Sequence, residues 1–152
     1  MHTQTILLVA DRTAAEPHVL EAICARAAQA PTAVTLLVPA SRPRGGWTWD
    51  EAAARGQARR RMRTAASSLR HAGISVATVL GDFSPLEAIR DEMRRQTYDE
   101  IVISTLPTRV SRWLRTDLLA RVAREFPVQV SHVQPETGLV EVSHGIGRSS
   151  AA

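Results

Sequence analysis

Five short apolar runs, each set off from the next by helical periodicity, constrain this chain more than any other feature. They are residues 5–10 (TILLVA), 33–38 (AVTLLV), 75–80 (SVATVL), 100–104 (EIVIS) and 128–133 (VQVSHV). Runs of this length and near-continuous apolarity suit strands covered on both faces. Between the first two, residues 17–30 place Leu20, Ile23, Cys24 and Ala27 at helical spacing, with Pro17 in a first turn where its missing N–H costs nothing. Asp50 is suited to cap a long helix reaching His71, carrying Ala53, Ala54, Met62, Ala65, Ala66 and Leu69, and Gly73 is placed to end it. Ser84-Pro85 opens a third helix with Leu86, Ile89 and Met93 on one face. Residues 111–126 set Leu114, Leu118, Val122 and Phe126 in register, and Pro127 stops that helix.

Strands that alternate with helices predict a parallel sheet with helices on both faces, an open α/β fold. At 152 residues one domain is expected, over residues 1–134, with a Ser- and Gly-containing tail from 135 to 152 that is partly disordered. Within the tail, residues 139–142 (LVEV) suggest a short further strand. Aromatic residues are only 4% of the chain, so the core must be built from Ala, Leu, Val and Ile.

The formal net charge is +4, and every basic side chain other than histidine is arginine. Along the chain the arginines are mixed with Asp and Glu, and no basic block alternates with aromatics, which argues against nucleic acid as a partner. The single cysteine, Cys24, rules out a disulfide within the chain and makes the cytoplasm the default location. No apolar run approaches the roughly 20 residues that span a bilayer, so no membrane association is expected. The five histidines are scattered without metal-ligand spacing, and neither G-x-S-x-G nor G-x4-G-K-[ST] occurs. No metal and no catalytic residues are expected.

Three stretches resemble the universal stress protein family. Residues 5–11 are similar to its first strand, which ends in an acid, here Asp11. Gly81-Asp82-Phe83-Ser84-Pro85-Leu86-Glu87-Ala88-Ile89 resembles the passage from its third strand into a helix. Residues 100–133 are similar to its last strand–loop–helix–strand unit, with Pro127-Val128 starting the fifth strand. The resemblance implies an adenine nucleotide α-hydrolase-like sheet in the order 3-2-1-4-5, and it implies homodimers. Strand five would then be an edge, suited to meeting a two-fold mate. Members of the family that bind ATP carry G-x-x-G-x9-G-[ST] after strand four. Those glycines let backbone N–H groups approach phosphate. This chain has no glycine between Gly81 and Gly138, and Thr116-Asp117 stands in place of the last Gly-[ST]. The expectation is therefore a non-catalytic binding or regulatory module without a cofactor. The alternative is an adenine-nucleotide binder that holds Mg-ATP through a rewired loop and hydrolyses it slowly.

In the order 3-2-1-4-5 the ligand crevice lies beyond the carboxyl ends of strands one and four. The candidate lining is Ala10, Asp11, Val38, Gly81, Ser104 and Thr105, continuing through Thr108, Arg109, Ser111, Arg112 and Thr116. The arginines suit a small anion through their bidentate fork, but the favoured reading of the loop is a helix start capped by Ser111 with solvated arginines. Asp11 is either a ligand-reading acid or a partner for Arg12 or Arg112. Arg59, Arg60, Arg61 and Arg63 read as a solvated helix face, with an acidic partner as the alternative. Trp47 and Trp49 read as a seal over one end of the core or as a lid, and Trp113 and Cys24 as core.

Overall fold

A computed structural model describes residues 2–40, 50–106, 113, 117–135 and 137–142. The elements are β1 (Gln4–Val9), α1 (Pro17–Gln29), β2 (Thr32–Pro39), α2 (Glu51–His71), β3 (Ser75–Gly81), α3 (Pro85–Arg95), β4 (Glu100–Ser104), α4 (Leu118–Glu125), β5 (Gln129–Gln134) and β6 (Gly138–Glu141). The local signals act as their chemistry dictates. The Asp50 side chain accepts from the Ala53 amide at 3.2 Å, satisfying one of the free N–H groups of α2. Gly73 takes φ +82° just past the end of α2, and the Ile74 amide reaches back to the Leu69 carbonyl at 3.1 Å. Ser84 caps α3, with Pro85 in its first turn.

The strands form one sheet in the order β3-β2-β1-β4-β5-β6. The first five neighbours pair in parallel, and β6 runs antiparallel to β5. The direction in which successive strands are added across the sheet reverses between β1 and β4, as expected. Two cores flank the sheet. Ile6, Leu8, Val34, Leu36 and Val102 face α1 and α2, meeting Val19, Ile23, Ala58, Ala65 and Leu69. Leu7, Val9, Leu37, Ile101 and Ile103 face the other way, toward Leu86 and Ile89 of α3 and Leu118 and Val122 of α4. Alternate residues of each strand thus feed opposite layers, which is why these strands are apolar throughout.

The short further strand suggested at residues 139–142 forms as β6, at Gly138–Glu141. Three expectations need correction. Strand five is therefore not an edge: β6 covers it from Ser131 to Gln134, and the Val142 amide adds a bond to the Val130 carbonyl at 2.8 Å. β3 lies at the edge that the expected order gives it, but it is not buried on both faces: Ser75, Ala77 and Thr78 are exposed. The helix expected over residues 111–126 is interrupted. Asp117 sits in the left-handed region at φ 59°, and the final helix starts only at Leu118. Aspartate tolerates that conformation better than most side chains.

One acid lies inside the apolar sheet. Glu100, fully buried at the start of β4, accepts from Arg26 of α1 at 2.9 Å and from Ser131 of β5 at 2.7 Å. Gln4 of β1 also donates to it, at 3.3 Å. A carboxylate without these partners would be costly there. The network fixes β1, β4, β5 and α1 against one another at the amino end of β4.

Candidate functional site

At the opposite end, β1 and β4 deliver their last residues to the topological switch point. Ala10 continues β1 by donating its amide to Leu37 at 3.1 Å, and a turn follows in which the Ala14 amide meets the Asp11 carbonyl. That turn brings Thr13 over the end of β4, where its hydroxyl lies 2.6 Å from the Ser104 hydroxyl, both groups buried. Thr105 is tied to β5 twice. Its amide donates to the Val133 carbonyl at 3.1 Å, and its hydroxyl lies 2.7 Å from Nε2 of His132. Burial lowers the His132 pKa below its ordinary value, so the imidazole is neutral near pH 7.

Asp11 points across to α2. Its Oδ1 accepts from Nη1 of Arg61 at 2.7 Å. Of the two partners considered from the sequence, Arg12 is exposed, and Arg112 lies outside the described residues.

The candidate lining thus divides. Asp11, Ser104 and Thr105 come together above β1 and β4. Ala10 and Val38 are wholly buried in the core shared with α1 and α2. Gly81 has a packing role. A Cβ there would lie 2.7 Å from the Ala88 Cβ and 2.9 Å from the Leu37 Cδ1, so the missing side chain lets α3 close onto the sheet. Thr108, Arg109, Ser111, Arg112 and Thr116 lie outside the described residues, as do Trp47 and Trp49. Trp113 is buried in the α3–α4 core. Cys24 is half-buried against the other core. Among the described residues no group of His, Cys, Asp and Glu is arranged to hold a metal, and no helix is long and apolar enough to cross a membrane.

Sequence reasoning missed Thr13, Arg61 and His132. Arg61 carried a usable signal. It follows Ala54 by seven residues and precedes Ala65 by four, which puts it on the margin of the buried stripe of α2 and apart from its exposed neighbours Arg59, Arg60 and Arg63. Nothing local marks Thr13 as a partner of Ser104.

No family model matches the chain, and no curated protein matches it in sequence. Its fold does have a counterpart, a crystal structure of a protein from the universal stress protein family from Burkholderia pseudomallei. The two align with a TM-score of 0.60 over 86% of this chain and 95% of that one, at 19% identity. The chain has the universal stress protein fold. Within that fold Asp11 follows β1 and Ser104 ends β4, the two strands that flank the switch point, and Asp117 stands at the N-cap of α4, where its side chain makes no capping hydrogen bond and is exposed. A carboxylate at a helix N-terminus occupies the place where the free N–H groups would otherwise attract an anion.

Proposed function

We propose that this chain is a non-catalytic binding and regulatory module, and that its crevice above β1 and β4 does not hold ATP in the manner of a nucleotide-binding stress protein. One observation carries the reading: the polar side chains described on the crevice floor are already engaged with protein partners. Asp11 is held by Arg61, Thr13 by Ser104, and Thr105 by His132. A ligand that used these groups would first have to break those bonds, and an interaction must be stronger than the one it replaces to yield net affinity. The sequence supports the same reading. Without a glycine between Gly81 and Gly138, the loop after β4 lacks the residues that let backbone donors close on phosphate. Asp117 adds a like charge where phosphates would approach.

Isothermal titration calorimetry with Mg-ATP tests this. The expected dissociation constant is about 1 mM or weaker, no more than about 4 kcal/mol of binding. A low micromolar constant that disappears on Asp11→Ala would favour the alternative, a nucleotide site built by a rewired loop. A thermal-shift series over phosphate, sulfate and small carboxylates identifies the anion that the crevice prefers, since a ligand of the native state raises the melting temperature.

A further inference from the structure

The arginines are interleaved with acids over most of the chain, but not over one continuous segment that forms one edge of the fold. From Ala52 to Gly81, through α2 and β3, the sequence holds six arginines and no Asp or Glu. The whole chain carries 19 basic and 15 acidic side chains, so this edge layer is +6 and everything else together is −2. The only acids at this layer's start are Asp50 and Glu51, the cap and first turn of α2, where the helix dipole favours them. Arg61 turns inward to Asp11, and Arg55 meets Glu51 at 3.2 Å. Arg59, Arg60, Arg63 and Arg70 are exposed. Arg55, Arg59 and Arg63 succeed one another at four-residue intervals, a like-charge spacing that opposes helix formation. The stripe runs to Arg70 along about 22 Å of helix at 1.5 Å per residue.

We propose that this face of α2 binds the phosphate backbone of a nucleic-acid duplex without reading its bases. The rest of the face selects among polyanions. Its other exposed side chains include Ala53, Gln57, Thr64 and Ser67, and the large hydrophobics exposed among the described residues, Phe83 and Val140, lie elsewhere. A protein interface needs buried aromatic or aliphatic anchors, and this face offers none. Single strands are gripped by stacking on aromatic side chains, which the described residues of this face also lack. The apolar stripe of α2 (Ala54, Ala58, Ala65, Ala66, Leu69) is already packed on the sheet, leaving nothing to insert into a bilayer. Counterion release from closely spaced phosphates requires only a row of guanidinium groups. The expectation against nucleic acid rested on the average mixing of charges along the sequence, an average that does not hold over residues 52–81.

Fluorescence anisotropy of the full chain with a labelled DNA duplex of arbitrary sequence provides the test. Three or four phosphate contacts predict an affinity that falls about 40- to 150-fold between about 50 and 200 mM salt, and that does not change when the duplex sequence is scrambled. The triple variant R59Q/R60Q/R63Q should bind at least about 50-fold more weakly at the lower salt and show a shallower salt slope. Glutamine is a good helix former, so α2 is retained, and circular dichroism verifies this. If the triple variant does not fold, R59Q and R63Q singly must each weaken binding by about 5- to 15-fold. Replacing Arg94 and Arg95 of α3 by Gln should leave the affinity unchanged. The proposal is overturned if no saturable binding occurs at the lower salt, or if the α3 substitutions weaken binding as much as those in α2. It is equally overturned if polyglutamate or anionic lipid vesicles bind as tightly as the duplex.

Discussion

The Asp11 carboxylate at the end of β1 and the Arg61 guanidinium in the middle of α2 meet at 2.7 Å, fifty residues apart in sequence. The contact closes the gap between the switch point of the sheet and the helix that carries the basic face. Because the pair is partly shielded, at 14% and 32% side-chain exposure, it should exceed an exposed ion pair without reaching the value of a fully buried one. A double-mutant cycle of Asp11→Ala and Arg61→Ala, read by urea denaturation, is expected to give a coupling of about 1 kcal/mol. A coupling indistinguishable from zero would mean that the two side chains do not act on each other in solution.

Gly81 is where a small change in volume should be felt most. An added Cβ would overlap Ala88 and Leu37, and the nearest of these atoms belongs to a helix that cannot move freely. Gly81→Ala is expected to cost about 1–3 kcal/mol through overpacking. Ala88→Gly in the same chain removes the atom at 2.7 Å. The double variant should therefore be more stable than the sum of the two single effects, even though glycine within a helix costs about 1 kcal/mol. Strict additivity would show that the close approach of α3 to β3 is not what requires glycine at this position.

Much of this architecture was legible in the sequence, because each layer follows from a local period. The runs at Ile6–Val9 and Val34–Val38 could only be central strands, and Asp50, Gly73 and Ser84-Pro85 mark helix ends by their own chemistry. Features that depend on distant partners were not legible. The LVEV run suggested the short strand β6, but not that it would cover β5, where Leu139 and Val142 pack on opposite cores. Asp117 has the composition of a helix residue, yet its left-handed backbone breaks the helix. For the candidate site, strand ends can be placed from sequence, which located Asp11, Ser104 and Thr105. Which side chain each one meets depends on tertiary geometry, which hid Thr13, Arg61 and His132.

The placement of β6 bears directly on assembly. A bare β5 would present a row of unpaired N–H and C=O groups, the kind of edge that recruits another strand. β6 occupies that edge with only four residues. The full chain should therefore be monomeric by light scattering at micromolar concentration. Truncation after Gln134 should produce a dimer, and a peptide spanning residues 135–144 should return it to monomer by refilling the edge. Val142→Pro, which removes the N–H that reaches Val130, should shift the full chain in the same direction. A truncated chain that is folded yet monomeric would mean that β5 has no tendency to pair when exposed.

The acid side of the stability profile should report on His132. Its imidazole is half-buried, lies 2.7 Å from the Thr105 hydroxyl, and has its pKa lowered by burial, so the folded state resists taking up a proton that the unfolded chain accepts near pH 6.5. The unfolded state then binds more protons in the interval between the lowered value and the ordinary one. Stability accordingly falls as pH drops below about 6.5, and this contribution levels off once the folded-state pKa is passed. Asp99 and Glu125, whose pKa values are lowered by hydrogen bonds from the Thr5 amide and from Arg90, have the same sign but act below the ordinary carboxylate range, so the windows are separate. His132→Gln keeps a side chain able to hydrogen-bond Thr105 and removes the titration. Melting temperatures measured from about pH 7.5 down to about pH 5 should decline through the histidine window in the parent chain and run flatter in the variant. Parallel profiles for the two proteins would place the acid sensitivity on another group and would show that His132 is protonated as readily in the folded chain as in the unfolded one.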